Sequence, residues 1–381
     1  MPKKVAAPKS KSAAVDFDAF MKGVLGNDAV VDLSKREDKF YKLGDYSLDR
    51  ALGGGLPVGQ IYTFSGEAQT CKTLSALCVC KSVIASGKKA MYIDVENKIS
   101  TKCLKNMGLQ NNPEFIMISI GNLEETLDKV MQFLESEFFG VIVIDSVDAL
   151  TTDEQDEREI HEGSKVGGYK AKVFSEWLGK VSQLGAGHEC SVLMIRQLRD
   201  NPGVMYGSTK TMSGGKAIGY YTTTAIEFSR TSADRKRDVE RDGHTLYWGV
   251  SALITKMNQG IPPKDKIPLR YAIGDNMEWG IDPIQSLAAE AQRLGIIATR
   301  KAGSHMYYAS DELCEKLDVA PDELKFNGEG NMNAAITNDD VLQNAVKELV
   351  DKHENDGDDG FVPQLSEDDD TVAVDFEDDE E

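Results

Sequence analysis

The chain has 381 residues, 41% of them hydrophobic, with a formal net charge of −20 and six cysteines. This length and apolar content allow one large domain or two ordinary domains with a sizeable core. No run of 18 or more apolar residues occurs, which excludes a typical transmembrane helix, and the basic N-terminus lacks the apolar segment of a secretory signal. The cysteines lack the spacing of a disulfide framework, which predicts reduced thiols in a cytosol-like compartment.

The acidic charge is concentrated at the C-terminus. Residues 354–381 contain 14 acidic residues and no Lys or Arg, which leaves a net charge of −6 for the other 353 residues. A block of this kind is too charged to bury and is predicted to be disordered. The overall acidity therefore does not argue against nucleic-acid binding by the folded part of the chain.

Predicted strands and helices alternate from residue 60 onward. The predicted strands are 61–64, 90–94, 115–119, 141–145, 191–196, 224–229 and 249–255. Helical patterns occupy 71–85 and 167–184, and a further helix begins at Asn122, with Glu125 as its partner in a capping box. The buried stripe of that helix is predicted as Leu123, Leu127, Val130, Met131 and Leu134. The alternation predicts an α/β fold, a mostly parallel twisted sheet flanked by helices, with ligands at the carboxyl ends of the strands.

Three segments lie outside this core. Residues 1–34 include a short helix-like apolar face formed by Phe17, Phe20, Met21, Val24 and Leu25. Residues 284–350 mix helical patterns with a strand-like MYYAS at 306–310, which suggests a small α/β module. We predict four regions: an N-terminal segment 1–37, a core 38–280, a small C-terminal α/β domain 281–350 and an acidic tail 351–381.

A phosphate-binding loop follows the first core strand. The stretch GEAQTCKT matches the pattern G-x-x-x-x-G-K-[ST] except that Cys71 replaces the second glycine. The predicted ATP-binding residues of this loop are Gly66, Glu67, Ala68, Gln69, Thr70, Cys71, Lys72 and Thr73. Lys72 is expected to reach the β- and γ-phosphates, and the Thr73 hydroxyl to bind Mg²⁺. Cys71 is tolerable if it is already helical and costs roughly 1–2 kcal/mol if it needs a positive φ. The alternative is a strand-to-helix turn with an incidental lysine.

Two acidic residues at other strand ends favour the nucleotide site. Asp145 ends the apolar run VIVID and is expected to bind Mg²⁺ with Thr73 and to belong to the ATP site. Glu96 comes just after YID, where a carboxylate can orient or deprotonate the water that attacks the γ-phosphate. Either carboxylate alone could be a helix cap or a surface acid. Three strand ends that converge on one phosphate site predict an ATPase.

Four longer stretches point to a particular family of ATPases. They are YSLDRALGGGLPVGQIYTFSGEAQTCKT, YIDVENKIS, VIVIDSVDALT and RQLRDNPGVMYGSTKTMSGGKAIGYY, in this order. Together they resemble the RecA recombinases over residues 38–345, and the segment 196–221 is the most specific. The substituted phosphate loop is more similar to those of the divergent recombinases of large bacteriophages. The resemblance implies a RecA-like core, an N-terminal oligomerisation element and a helical filament on DNA.

The resemblance also implies two DNA-binding loops, at about residues 153–168 and 199–216. The predicted DNA-binding residues are Arg199, Asn201, Gly203, Met205, Tyr206, Gly207, Ser208, Lys210, Gly214, Gly215 and Lys216. The cationic side chains among them can contact phosphates, the glycines allow close backbone approach, and the Met and Tyr can insert between bases. The alternative is a flexible surface loop.

By the same resemblance, Gln197 senses the γ-phosphate and passes its state to the second loop, and Tyr220 packs on a neighbouring subunit. Lys256 is implied to reach the neighbour's ATP, so the implied catalytic set is Glu96, Lys72, Gln197 and Lys256. The chain departs from the family pattern at four further positions. Cys103 replaces an adenine-stacking tyrosine, Asn258 a second lysine, and Arg196 and Lys216 two asparagines.

We therefore expect a DNA-dependent ATPase that uses ATP and Mg²⁺, forms a homo-oligomeric filament on single-stranded DNA, pairs it with double-stranded DNA and exchanges strands. Single-strand-binding and loader proteins are the implied partners, without a membrane, in the cytoplasm of a bacterium or a phage-infected host. The acidic tail either competes with DNA for the basic surface or only solubilises the chain. The alternative functions are a RecA-fold recombination mediator, which often loses residues such as Glu96 or the loop residues, and a hexameric helicase, which lacks the segment from GVMYG to GGK, residues 203–216.

Overall fold

A computed structural model of the chain describes residues 38–156, 167–200, 210–211, 215–258, 260–299, 304–320 and 323–355. The chain divides into two compact units, residues 1–39 and residues 40–381, and all elements given below belong to the second unit. The apolar face predicted within 1–34 and the part of the acidic tail after Asn355 lie outside the described residues.

The second unit is built on a ten-stranded sheet. Its strands are β3 Ile61–Gly66, β4 Lys89–Asp94, β5 Phe115–Ile118, β6 Phe139–Asp145, β7 Ser191–Gln197, β10 Thr224–Ser229, β11 Val239–Arg241, β12 His244–Lys256, β13 Ile267–Ala272 and β14 Gly280–Ile281. They lie in the order β14-β13-β12-β10-β3-β7-β6-β4-β5, with β11 beside β12. The six neighbouring strands from β10 to β5 are parallel, and the remaining pairs are antiparallel. The predicted α/β fold with a mostly parallel sheet is confirmed.

Helices cover both faces of this sheet. The helices of this part of the chain are α1 Tyr46–Ala51, α2 Lys72–Ala85, α3 Thr101–Asn106, α4 Leu123–Glu135, α5 Asp153–Asp156, α6 Gly167–His188, α7 Gly215–Tyr221 and α8 Ser232–Arg235. Two small antiparallel pairs complete it: β1 Phe40–Tyr41 with β2 Leu56–Pro57, and β8 Arg199–Asp200 with β9 Lys210–Thr211.

The strands divide their side chains between two separate hydrophobic clusters. In β6, Val141 and Val143 belong to the cluster on the α2 side, whereas Ile142 and Ile144 belong to the cluster on the α4 and α6 side. Successive side chains of a strand point to opposite faces, so a continuous apolar run fits a sheet that is covered on both sides. This arrangement keeps the polar residues at the strand ends.

Local sequence signals account for the ends of two helices. The Asn122 side chain accepts a hydrogen bond from the Glu125 backbone N–H at 2.9 Å, which caps the start of α4. Helix α2 ends at Ala85, and Gly87 follows with a φ of 87°. Glycine adopts this left-handed backbone conformation readily, which is why it often follows the end of a helix. Along α4, Met131 is only half-buried, and Thr126 is buried among the predicted apolar residues instead.

The antiparallel part of the sheet was largely absent from the prediction. Strand β12 begins at His244 rather than near residue 249, and β11, β13 and β14 were not predicted. The first five residues of β12 are exposed or only partly buried, and the strand opens with the polar His244 and Thr245, so its start does not resemble the fully apolar parallel strands. Strand β13 contains Pro268, which weakens a strand prediction.

The C-terminal part has its own hydrophobic cluster, which includes Leu287, Leu313 and Val346. It contains the antiparallel strands β15 Ile297–Thr299, β16 Met306–Ala309 and β17 Lys325–Asn327, and the helices α9 Ile284–Arg293, α10 Asp311–Leu317, α11 Glu329–Asn338 and α12 Asp340–Asn355. Helix α12 continues through residues 351–355, which were predicted as part of the tail, and β14 spans the predicted boundary at residue 280. Within the described ranges, no helix has both the length and the apolar character needed to cross a membrane.

Candidate functional site

The phosphate loop begins where β3 ends at Gly66. A Cβ atom at this position would lie 2.3 Å from the carbonyl oxygen of Phe228 on the neighbouring strand β10 and 2.7 Å from Thr70 Oγ1. Backbone and loop therefore leave no room for a side chain, which explains a glycine at the first position of the pattern.

Cys71, at the second glycine position, has a left-handed backbone with φ of 62°, and α2 begins only at Lys72. Of the two alternatives for Cys71, the structure shows the one with a positive φ, which costs roughly 1–2 kcal/mol for a residue with a side chain. Burial raises the pKa of the Cys71 thiol to about 12, although the nearby Arg230 acts in the opposite direction. The thiol is therefore protonated at neutral pH.

An indole ring supports the loop from outside. The Trp248 Nε1–H donates to the carbonyl oxygen of Gln69 at 3.3 Å, and Gln69 itself has a positive φ of 60°. The Arg230 guanidinium lies 3.5 Å from the centroid of the Trp248 ring, and this cation–π contact fixes the ring against the loop.

Lys72 is 8% exposed, and its ammonium group turns back into the loop. The Nζ donates to the Glu67 carbonyl oxygen at 2.5 Å and lies 3.4 Å from Thr70 Oγ1. Burial lowers the pKa of Lys72, while the carboxylates of Asp145 and Glu96 act to raise it. A buried ammonium beside one loop carbonyl and one loop hydroxyl has the chemistry to bind a phosphate oxygen.

Thr73 and Asp145 lie in direct contact. The Thr73 hydroxyl donates to Asp145 Oδ2 at 2.8 Å, and the Tyr92 hydroxyl donates to the same oxygen at 2.7 Å. Burial raises the pKa of Asp145, and the two hydroxyl donors act against that rise. A carboxylate oxygen and a hydroxyl oxygen side by side are donors that Mg²⁺ accepts, and Mg²⁺ is usually held by one or two carboxylates together with substrate phosphates. These residues therefore fit Mg²⁺.

Glu96 is held by three donors: Ser146 just after β6, Gln197 at the end of β7, and Lys98 on its own loop. Ser146 Oγ and Gln197 Nε2 both donate to Glu96 Oε1, at 2.7 and 3.1 Å, and Lys98 Nζ forms an ion pair with the other carboxylate oxygen. Burial alone would raise the pKa of Glu96, but the hydrogen bonds from Lys98 and Ser146 outweigh it and lower the pKa. The carboxylate is therefore ionised at neutral pH and fixed in orientation.

These groups line one cleft of about 550 Å³. Its polar residues include Lys72, Thr73, Glu96, Asp145 and Gln197, from the ends of β3, β4, β6 and β7 and the start of α2. The cleft also has an apolar end. Across the described residues, no group of three or more His, Cys, Asp or Glu side chains is arranged to hold a metal ion.

The predicted second DNA loop starts directly behind this cleft. The Gln197 backbone N–H donates to Asp148 Oδ2 at 2.5 Å, and the Leu198 N–H donates to the Gly66 carbonyl oxygen at 3.1 Å. Strands β8 and β9 then pair as an antiparallel ribbon, and α7 follows. Residues 201–209 and 212–214, which include most of the predicted DNA-binding residues, lie outside the described ranges, as does the stretch 157–166 of the predicted first loop.

Three residues implied by the family resemblance lie away from the cleft lining. The Lys256 ammonium donates to the carbonyl oxygens of Gly219 and Tyr220 in the last turn of α7, at 2.9 and 3.0 Å. The Tyr220 side chain is 78% exposed and stacks edge-to-face on Tyr221, and Asn258 is exposed. Within this single chain, Lys256 therefore contacts the helix that follows the second loop.

The RecA N-terminal domain family matches residues 17–254, more than half of the chain. The chain belongs to the RecA family. It is 28% identical to Protein RecA of Methylobacterium sp. (strain 4-46) over 352 residues, which cover 89% of this chain and 93% of that protein. It is 30% identical to Protein RecA of Bifidobacterium breve, covering 87% and 77%, and 29% identical to Protein RecA of Chloroherpeton thalassium, covering 80% and 81%. As a member of the RecA family, the chain is a recombinase in the general sense.

Several residues that hold this RecA-family site together were not predicted from the sequence. Tyr92, Ser146 and Lys98 contact the two predicted carboxylates, and Trp248 supports the loop. Ser146 had a signal, since it directly follows Asp145 at a strand end. No local sequence signal pointed to Trp248, because its contact with Gln69 spans 179 residues of sequence.

Proposed function

We propose that this RecA-family chain is a DNA-dependent ATPase that polymerises as a helical filament on single-stranded DNA and catalyses homologous pairing and strand exchange. Base pairing supplies the sequence specificity, and the ATP cycle controls assembly and release. Double-stranded DNA, single-strand-binding proteins and loader proteins are its partners, and the cytoplasm of a bacterium or a phage-infected cell is its location. The likeness to recombinases of large bacteriophages remains part of the proposal.

The contact between Glu96 and Gln197 is the single observation that carries this proposal. A carboxylate suited to orient water and an amide at the start of the second DNA loop share a hydrogen bond of 3.1 Å. The next residue, Leu198, donates to the carbonyl oxygen of Gly66, the first residue of the phosphate loop. A change at the γ-phosphate would therefore displace the residues that lead directly into the DNA loop, which is the differential contact that coupling between two sites requires.

Each residue of the cleft has a distinct task in the proposed hydrolysis. The backbone of 66–73 and the Lys72 ammonium bind the phosphates, and Thr73 and Asp145 would hold Mg²⁺. When bound, Mg²⁺ supplies positive charge against the charge that develops on the phosphate oxygens. Because Glu96 is ionised and held by Ser146 and Gln197, it can accept a hydrogen bond from the attacking water and fix its direction.

Lys256 is proposed to act on the ATP of a neighbouring subunit, as the family resemblance implies. In the single chain its ammonium contacts the last carbonyls of α7. An interface that recruits Lys256 would release those carbonyls of the helix behind the second DNA loop. With Asn258 in place of a second lysine, the charge delivered across the interface is smaller, and hydrolysis between subunits is expected to be slower.

Steady-state ATP hydrolysis with and without single-stranded DNA, at fixed low salt, tests the proposal. Strong stimulation by DNA, together with strand exchange between homologous duplex and single strand, is the expected result. Equal hydrolysis with and without DNA would contradict the proposed coupling between the ATP site and the DNA loop. It would favour a helicase, which is then tested by duplex unwinding. DNA binding without hydrolysis would favour a recombination mediator.

A further inference from the structure

The apolar end of the cleft has no assigned role. It is formed by Leu74, Ile99, Cys103, Ile273 and Trp279, all of which line the same space as Lys72 and Thr73. These five side chains are partly buried and pack on the cluster between the sheet and α2. A nucleotide whose phosphates lie in the loop extends beyond it, and binding sites of this kind use apolar walls for the flat part of the ligand.

Trp279 is the one aromatic side chain among the described residues that line this cleft. Its Nε1–H donates to the Gly274 carbonyl oxygen at 2.8 Å, and its backbone N–H donates to the Asn106 carbonyl oxygen at the end of α3 at 2.9 Å. Lys102 Nζ lies 6.0 Å from the ring centroid. Because the indole N–H is already engaged with Gly274, the ring can offer the cleft only its π surface and carbon edge.

Resting on the proposed nucleotide site, we propose that Trp279 contacts the base of the bound nucleoside triphosphate and supplies the aromatic surface that Cys103 cannot. Cys103 lies on α3, which Trp279 contacts through the Asn106 carbonyl. A thiol is too small to cover a base, whereas an indole presents a large flat surface. The base contact would thus come from the segment between β13 and β14 instead of from α3.

The second tryptophan near the loop is less suited to this contact. A smaller cavity of about 340 Å³ lies between Gln69 and Trp248. One face of the Trp248 ring is covered by Arg230 at 3.5 Å, and its indole N–H is used on the loop carbonyl. That cavity also lacks Glu96, Asp145 and Gln197, which line the cleft with Trp279. Trp248 is therefore a support of the loop, and it provides a matched control.

The experiment compares two ligands that share the phosphates but differ in the base. Dissociation constants are measured by calorimetry, in the presence of Mg²⁺, for a non-hydrolysable ATP analogue and for inorganic tripolyphosphate. Trp279→Leu is expected to weaken binding of the ATP analogue by about tenfold, the size of one base–aromatic contact, and to leave tripolyphosphate binding unchanged. Trp279→Phe, which keeps an aromatic ring, is expected to restore most of the loss. Trp248→Leu is expected to weaken both ligands together, because it loosens the loop.

A second readout leaves Trp279 in place. The chain has three tryptophans, so replacing Trp177 and Trp248 by Phe makes Trp279 the sole indole. Its fluorescence should be changed by the ATP analogue and not by tripolyphosphate.

The results separate this inference from the proposed function. If the unaltered protein binds neither ligand, the nucleotide site itself is wrong, and the base contact falls with it. If it binds both but the Trp279 variants keep the full preference for the ATP analogue, only the base contact is refuted. Loss of that preference in Trp248→Leu instead would move the base to the smaller cavity and overturn the assignment of Trp279.

Discussion

The side-chain amide of Gln197 donates to Glu96 Oε1 at 3.1 Å, although the two residues are 101 positions apart in sequence. The contact joins the end of β7 to the segment after β4, at the edge of the sheet where parallel strands place their ligands. Glu96 faces the cleft, and the chain continues from Gln197 into the second loop. The pair therefore connects the proposed position of the hydrolytic water directly to the start of the proposed DNA segment.

Gln197→Ala should reduce the stimulation of ATP hydrolysis by DNA more than it reduces hydrolysis without DNA. The variant keeps Lys72, Thr73 and the Ser146 bond to Glu96 but loses one donor that holds Glu96, so we expect ATP hydrolysis without DNA to fall by about threefold, whereas its stimulation by single-stranded DNA falls at least about tenfold. The measurement is the ATPase rate over a range of DNA concentrations. Gln343→Ala removes a similar amide–carbonyl bond to Ile336 in the C-terminal cluster and should behave as the unaltered protein. Full stimulation in Gln197→Ala would contradict the proposed coupling.

Thr73 should need its hydroxyl and not its methyl group. Thr73→Val keeps the shape but leaves Asp145 without one of its two hydroxyl donors and Mg²⁺ without a ligand, so we expect at least about 100-fold slower hydrolysis. Thr73→Ser should retain activity within about tenfold, because its hydroxyl occupies the same position. The rates are measured against Mg²⁺ concentration. Thr223→Val, which removes a hydroxyl bound to the Ile61 carbonyl, controls for the loss of a hydroxyl, and similar rates for Thr73→Val and Thr73→Ser would refute the role.

The backbone at Cys71 predicts an unusual order of stability. With φ of 62°, Cys71→Gly should be more stable than Cys71→Ala by about 1 kcal/mol, because glycine adopts the left-handed conformation without a steric cost. Both variants lack the thiol, so the comparison isolates the backbone. The free energy of unfolding is measured in urea. At Cys78, inside α2, the same pair should show the opposite order, since glycine weakens a helix interior. The same order at both positions would contradict the left-handed assignment of Cys71.

A buried carboxyl at the start of α1 predicts the pH dependence of stability. Burial raises the pKa of Asp45 from 3.8 to about 6, so folding disfavours its ionised form. The stabilisation that the protonated form provides is complete below the unfolded pKa and is lost as the pH rises through about 6. Asp45→Asn removes this loss and keeps an acceptor for the Leu48 N–H. It should raise the free energy of unfolding at about pH 8 by up to roughly 3 kcal/mol and have little effect at about pH 4.

Denaturant unfolding at several pH values checks this prediction. Asp49 serves as the comparison, because its pKa is raised to about 7 by the same cause. Its two oxygens accept from the backbone N–H groups of Leu43 and Gly44, and an amide can accept only one of these bonds. Asp49→Asn should therefore gain less stability than Asp45→Asn. A pH profile that Asp45→Asn leaves unchanged would show that Asp45 ionises freely in the folded protein.

The sequence predicted those parts of the molecule that depend on local patterns. The parallel strands show as short apolar runs, and Gly66, Glu96 and Asp145 at or just after their ends could be located because parallel strands share one edge, whereas Gln197 was assigned through the family resemblance. Trp248 and Trp279 could not be assigned, since their contacts depend on how the antiparallel strands fold back against the loop and against α3. The backbone angle of Cys71 was open for a related reason: it follows from the position of α2 in the whole fold, which no eight-residue pattern specifies.

The hydrogen bond from Leu198 N–H to the Gly66 carbonyl has a consequence for the construction of chimeric recombinases. Strands β3 and β7 are neighbours in register, with Gly66 opposite Gln197, so the two loops leave the sheet side by side. A phosphate loop transplanted from a relative would meet a foreign partner at Leu198, even if every residue of its own motif were intact. The phosphate loop and the second DNA loop should therefore be exchanged together. Hybrids that take the ends of both strands from the same parent should keep the stimulation of ATP hydrolysis by DNA.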